Sequence, residues 1–203
     1  MKTKYIINPS FRFHTWCLVV EWHEVPYNIL QSESQYPCEG RSIYAKGKQC
    51  QVMAQTNEKK IDFYYHPETV FENRNVQAWL RNIIKNSVLA IADIELPKRL
   101  HYWEKEKNLY AKQVIVKKLK RRNIWGQCSI YKQIFLPPKL VVFPLELVDE
   151  VMLHEMTHLK YMHHRKQFWD YFSLLLGKDA KLYKIKENEF FTKYDDMIEF
   201  LLK

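Results

Sequence analysis

The residues of this chain best suited to chemistry are His154, Glu155 and His158, which spell H-E-x-x-H. On a helix, four residues advance the chain by about 400°, so the two imidazoles stand one turn apart on one face and can converge on a single divalent metal. Glu155 lies one step round. From there its carboxylate can reach a water in the metal's open position without filling the coordination shell itself, which is the arrangement of metal-assisted hydrolysis. Two imidazoles leave zinc short of ligands, and the chain offers His163 and His164 just downstream, past the expected end of the helix. The competing reading is an amphipathic helix whose histidines are partly buried and merely hydrogen-bonded. Leu147, Val151, His154, His158 and Tyr161 continue one row at alternating four- and three-residue steps, so the histidines extend an apolar stripe towards the interior. Two buried imidazoles side by side need partners for their nitrogens, and a shared metal supplies one.

The elements that must position these groups follow from the surrounding pattern. FPLELVDEVMLHEMTHLKYM carries Pro144 at its start, Glu146, Asp149 and Glu150 early and Lys160 late, as the helix macrodipole favours. A further helix is expected from Arg165 to Leu176, with Gly177 as its stop. Upstream, Val76, Trp79, Leu80, Ile83, Ile84, Val88 and Ile91 recur at three- and four-residue spacing, predicting a helix from Asn73 to about Ala92. Pro97 is expected to end that region and to open a short helix over KRLHYWEKEKN. YAKQVIVKKLK alternates like a half-buried strand, and IWGQCSIYKQIFL reads as a strand pair closed by Pro137 and Pro138. Residues 10–66 alternate in aromatic-rich runs around a Lys46-Gly47-Lys48 turn, which predicts a small antiparallel sheet. The tail aromatics Phe190, Phe191, Tyr194 and Phe200 read as packing residues.

Composition bounds the rest. A chain of 203 residues, 47% hydrophobic and 15% aromatic with 4 Gly, buries a full core and is neither collagenous nor a disordered linker. No apolar run approaches the roughly 18 residues of a membrane span, and the basic N-terminus lacks the apolar stretch of a signal peptide. Four irregularly spaced cysteines suit reduced thiols in a cytosolic protein better than a disulfide framework. The expected location is therefore cytoplasmic. The net charge is +9, and the one dense basic run, Lys117, Lys118, Lys120, Arg121 and Arg122, suits either a nucleic-acid footprint or a solvated basic face.

The stretch IWGQCSIYKQIFLPPKLVVFPLELVDEVMLHEMTHLKYMHHRKQFW resembles the YgjP-like metallopeptidases, relatives of the SprT-like (Spartan-type) zincins. The W-G-x-C-S strand, the Pro-bounded connection, D-x-V-x-x-H-E-x-x-H-L and a His four residues before Phe-Trp occur in order, and the likeness is specific over about residues 95–172. The resemblance implies an α+β, zincin-like metallopeptidase fold with a small sheet packed beside the H-E-x-x-H helix. It implies one zinc ion per chain held by His154, His158 and His164, with Glu155 as general base for attack of a zinc-bound water on a peptide bond. His163 does not align with the third ligand. By chemistry, Tyr161, His163 and Arg122 are candidates to assist the developing oxyanion.

The resemblance also makes the region from Trp125 to Leu136 the sheet edge, or its neighbour, that holds extended substrate, with Trp125, Gly126, Cys128, Ser129, Tyr161 and His163 as substrate-binding candidates. The Cys128 thiol is expected to pack beside the helix rather than act as nucleophile. Phe168, Trp169, Tyr171 and Phe172 are expected to anchor the segment presenting His164. Residues 1–70 are expected to form an N-terminal β-rich region, continuous in one compact unit with a zincin-like domain over 71–203. The implied partner is a protein or peptide substrate, with nucleic acid on the basic run as a further partner and no membrane. The contrasting reading is a non-catalytic binding module stabilised by zinc and associated with nucleic acid in the processing of DNA-linked protein, in which Glu155 does no chemistry.

Overall fold

The computed structural model describes residues 5–11, 13–26, 39–45, 48–121, 124–180, 198 and 200. Arg122, Phe190, Phe191 and Tyr194 lie outside them. The described residues divide into two compact units, one of residues 5–88 together with 200 and one of residues 89–180 together with 198.

The first unit holds five strands: β1 (Phe13–His14), β2 (Val19–Glu24), β3 (Glu39–Ala45), β4 (Lys48–Thr56) and β5 (Lys60–Tyr65), in the order β1-β2-β5-β4-β3. The sheet is mixed rather than antiparallel, because β2 pairs β5 in parallel from Val19 opposite Lys60 to Glu24 opposite Tyr65. Two antiparallel reversals, β3 to β4 and β4 to β5, bring β5 back along β2 in the same direction. Period-two alternation fixes which face a side chain takes but carries no information on the direction of the neighbouring strand.

Ile61, Phe63, Val52, Ala54 and Val20 are buried, and Trp79 meets the Phe63 ring edge-on at 6.3 Å. Trp79 belongs to helix α1 (Arg74–Lys107). The start of α1 is fixed by Asn73, whose Oδ1 accepts from the Asn75 amide at 2.8 Å. Gln77 ties in the N-terminal segment by donating to the Ile7 carbonyl at 2.7 Å and accepting from the Ile7 amide at 2.9 Å.

The expected break at Pro97 does not occur: α1 is one helix of 34 residues with Pro97 inside it. Proline removes one backbone bond and crowds the preceding turn, a cost that buried apolar surface can offset. Here Val88, Ala92, Leu96 and Leu100 form a four-residue row that is fully buried on both sides of the proline.

The second unit adds a three-stranded sheet of β6 (Gln113–Val116), β7 (Gln127–Cys128) and β8 (Gln133–Leu136), ordered β6-β8-β7. A 3-10 helix at Pro138–Val142 leads through Pro144 into α2 (Leu145–Thr157), and α3 (Lys166–Leu176) follows. Helix α3 ends where Gly177 adopts a left-handed φ of 70°. Helix α2 stops earlier than its sequence suggests. Thr157 donates its hydroxyl back to the Leu153 carbonyl, His158 is the C-cap, and turns at Leu159 and Lys160 carry the chain away. Tyr161 therefore leaves the helical row that it was expected to continue.

Only Glu146 among the acids of α2 sits in its first turn. Asp149 instead receives two bonds from Arg99, at 2.6 and 2.5 Å, and one from the Trp103 indole at 2.8 Å, locking α2 against the C-terminal part of α1. Glu150 pairs with Lys178 beyond α3.

Candidate active site

The last turn of α2 carries His154, its C-cap is His158, and the turn leading into α3 carries His164. One ring nitrogen from each lies within 4.8 Å of the other two, and the Nε2 atoms of His154 and His164 are 3.0 Å apart. Two nitrogens each about 2.0–2.1 Å from one tetrahedral ion stand roughly 3.3 Å apart, so this spacing fits a shared metal after a small adjustment. The His158 Nδ1–H donates to the Tyr161 carbonyl at 3.0 Å, which places that ring's lone pair on Nε2. Burial, helped by the neighbouring His158 and His164, pushes His154 down to about 3, and burial also lowers His158. Both rings are thereby held neutral, as metal ligands must be. The donor set fits zinc, whose tetrahedral sites with three protein ligands keep a fourth position open.

Helix α3 supplies the floor under this cluster. Phe168, fully buried, packs at ring-centroid distances of 5.0, 4.6 and 4.5 Å from His154, His158 and His164. Phe172 lies 5.3 Å from His154. Trp169 donates its indole N–H to the His164 carbonyl at 3.2 Å, fixing the backbone that presents that ring. The expectation that this aromatic segment anchors His164 holds, and Phe168 does more, because a single ring touches all three imidazoles.

Glu155 is buried, 6% exposed, and points towards the segment leading into β7. A Cβ built on Gly126 would lie 2.5 Å from its Cγ and 2.7 Å from its Oε1. Trp125, next along, is buried under the Phe143 ring at 4.9 Å, with the Lys139 ammonium 3.5 Å from its own ring centroid. Burial, then the Glu155 charge, pushes the Cys128 thiol up to about 11, so it stays protonated at neutral pH and is a poor nucleophile. Its Sγ donates to the Ser129 carbonyl at 3.6 Å. Ser129 closes the β7–β8 turn, its hydroxyl accepting from the Gln133 amide at 3.2 Å.

Tyr161 contributes its carbonyl to His158, and its ring packs 5.6 Å from Tyr171. His163 is exposed and is not one of the three converging rings. Lys117, Lys118, Lys120 and Arg121 are exposed in the segment after β6, with Lys117 lying 3.7 Å from the Phe135 ring centroid.

A second group, Glu21, His23 and Asp62, sits on the sheet of the first unit. There the Lys60 ammonium lies 2.9 Å from both Glu21 and Asp62, so a resident cation already balances the carboxylates.

The second unit brings a buried Glu and three convergent imidazoles together at the end of α2, a donor set suited to a divalent metal. Residues 21–184, about four-fifths of the chain, match the family described as YgjP-like, metallopeptidase domain, and the chain belongs to that family. The match extends well before residue 95, where the motif-level likeness begins, and takes in most of the N-terminal sheet. No curated protein and no solved structure matches the chain.

Proposed function

We propose that this domain hydrolyses peptide bonds in protein substrates with a zinc ion held by His154, His158 and His164 and with Glu155 as the proton carrier. The observation that carries this reading is the convergence of three imidazoles, two of them held neutral by their surroundings, in a chain of a metallopeptidase family. Zinc in that position would supply Lewis acidity, polarising the scissile carbonyl and making water a nucleophile near neutral pH. Glu155 accepts the proton of the attacking water and delivers it to the departing amine. Phe168 packs against the rings of His154, His158 and His164 and the Tyr161 carbonyl fixes the tautomer of His158, so binding of the ion needs only a small adjustment. Strand β7 has a strand neighbour on one side only among the described residues, which supports an extended peptide adding to its outer edge.

Metal analysis and turnover test this together. About one zinc per chain is expected in the native protein and in E155Q, and none in H154A or H164A. Turnover should fall by about 10²–10⁴-fold in E155Q. Zinc kept by both histidine variants would refute the ligand set. A fully active E155Q would point instead to a domain in which the metal is structural. Trapping proteins on E155Q and identifying them by mass spectrometry then defines the substrates.

A further inference from the structure

We propose that Gly126 is a positioning residue, reserving the space in which the Glu155 carboxylate sits. This rests on the role given to Glu155 above. Glycine is usually required where the backbone adopts a left-handed φ, yet among the described residues Gly177 is the glycine in that region and Gly126 is not. The backbone at Gly126 would therefore accept alanine. What excludes a side chain is Glu155, since an added Cβ would stand 2.5 Å from its Cγ, 2.8 Å from its Cδ and 2.7 Å from its Oε1.

Carbon and oxygen atoms do not approach that closely without displacement. The three atoms nearest to that Cβ all belong to the Glu155 side chain, which is buried, so the carboxylate has to yield. The segment before β7 thus acts as a backstop. Its bare Cα lets the carboxylate settle against the chain, and any larger residue there moves the base. Proton transfer demands hydrogen-bond reach, and a displacement near 1 Å is enough to lower a rate by about 10²-fold.

The test uses the full chain in two measurements. Thermal melting of metal-free native protein, G126A, E155A and G126A/E155A reports the steric conflict without any activity. G126A should lower the midpoint by about 2–4 °C when Glu155 is present and have no such cost once the side chain is truncated to alanine. An equal shift in both backgrounds overturns the proposal.

The second measurement is hydrolysis of fluorescein-labelled casein by zinc-loaded protein. G126A should keep its zinc and its KM while kcat falls about 10²-fold. A G126A enzyme with native kcat beside an inactive E155Q overturns the glycine's role and leaves that of Glu155 standing. An active E155Q removes the role of Glu155 while the melting comparison still decides the steric claim. Should casein be resistant to the native protein, the melting comparison decides alone.

Discussion

Phe168 offers the sharpest separation of stability from metal binding. Its ring is fully buried and lies within 5.0 Å, centroid to centroid, of all three imidazoles. Truncation to alanine removes the whole ring from a packed site, a change that costs about 3–5 kcal/mol. At about 2–4 °C per kcal/mol for a chain of this size, the melting midpoint of metal-free protein should drop by roughly 10 °C.

F168L is the more informative variant. Leucine keeps most of the volume, so the stability cost should be only about 1–1.5 kcal/mol, yet it lacks the aromatic ring that meets two imidazoles edge-on and the third at a tilt. Loss of such an orienting contact lowers metal affinity about 10–100-fold. Zinc affinity measured by competition with a chromophoric chelator, alongside denaturant unfolding of the metal-free protein, reads both quantities. If F168L binds zinc as tightly as the native chain, the rings are oriented without Phe168 and the argument for a preorganised floor fails.

Other expectations are more local. R99M leaves Asp149 with the Trp103 indole but without its two guanidinium bonds, and should cost about 1.5–3 kcal/mol in denaturant unfolding, with much of that recovered in R99M/D149N. A loss in the double variant equal to that of R99M alone would mean that the charge left behind is not what destabilises the single variant.

In the first unit, burial opposes ionisation of Asp62, but hydrogen bonds from His23 and Lys60 outweigh it and hold the carboxyl below its ordinary value of 3.8. A carboxyl depressed in the folded state contributes stability above its unfolded pKa and loses it as pH falls through the folded value. D62N should therefore flatten the loss of stability below about pH 4, and an unchanged acid limb of the unfolding curve would contradict this. Read as a nucleic-acid footprint, the exposed Lys117, Lys118, Lys120 and Arg121 give a log–log salt slope near −3.6 for duplex DNA at four phosphates, at about −0.9 each. A flat, weak response identifies the run as a solvated face.

What could be read from the residues alone was whatever depends on local spacing. His154 and His158 are one turn apart whatever surrounds them, and Gly177 stops α3 because its own φ is left-handed. His164 lies in a turn, where no periodicity singles it out from His163, and only resemblance to a family chose between them. The parallel pairing of β2 with β5 and the passage of α1 through Pro97 were not legible, since the first depends on where distant strands return and the second on a buried row that offsets the proline. Asp149 looked like a helix-dipole acid because Arg99 and Trp103, its actual partners, are remote in sequence.

The two glycines mark the same divide. Gly177 serves its own backbone, and nothing lies within 4 Å of where its Cβ would be, so its reason can be read from the end of the helical pattern. Gly126 has an ordinary backbone, and its reason is the side chain of another residue, Glu155. No pattern within the β7 segment encodes that need. A glycine at a position where the backbone permits alanine is thus a pointer to what approaches it, and here the approaching group is the carboxylate that must carry the proton.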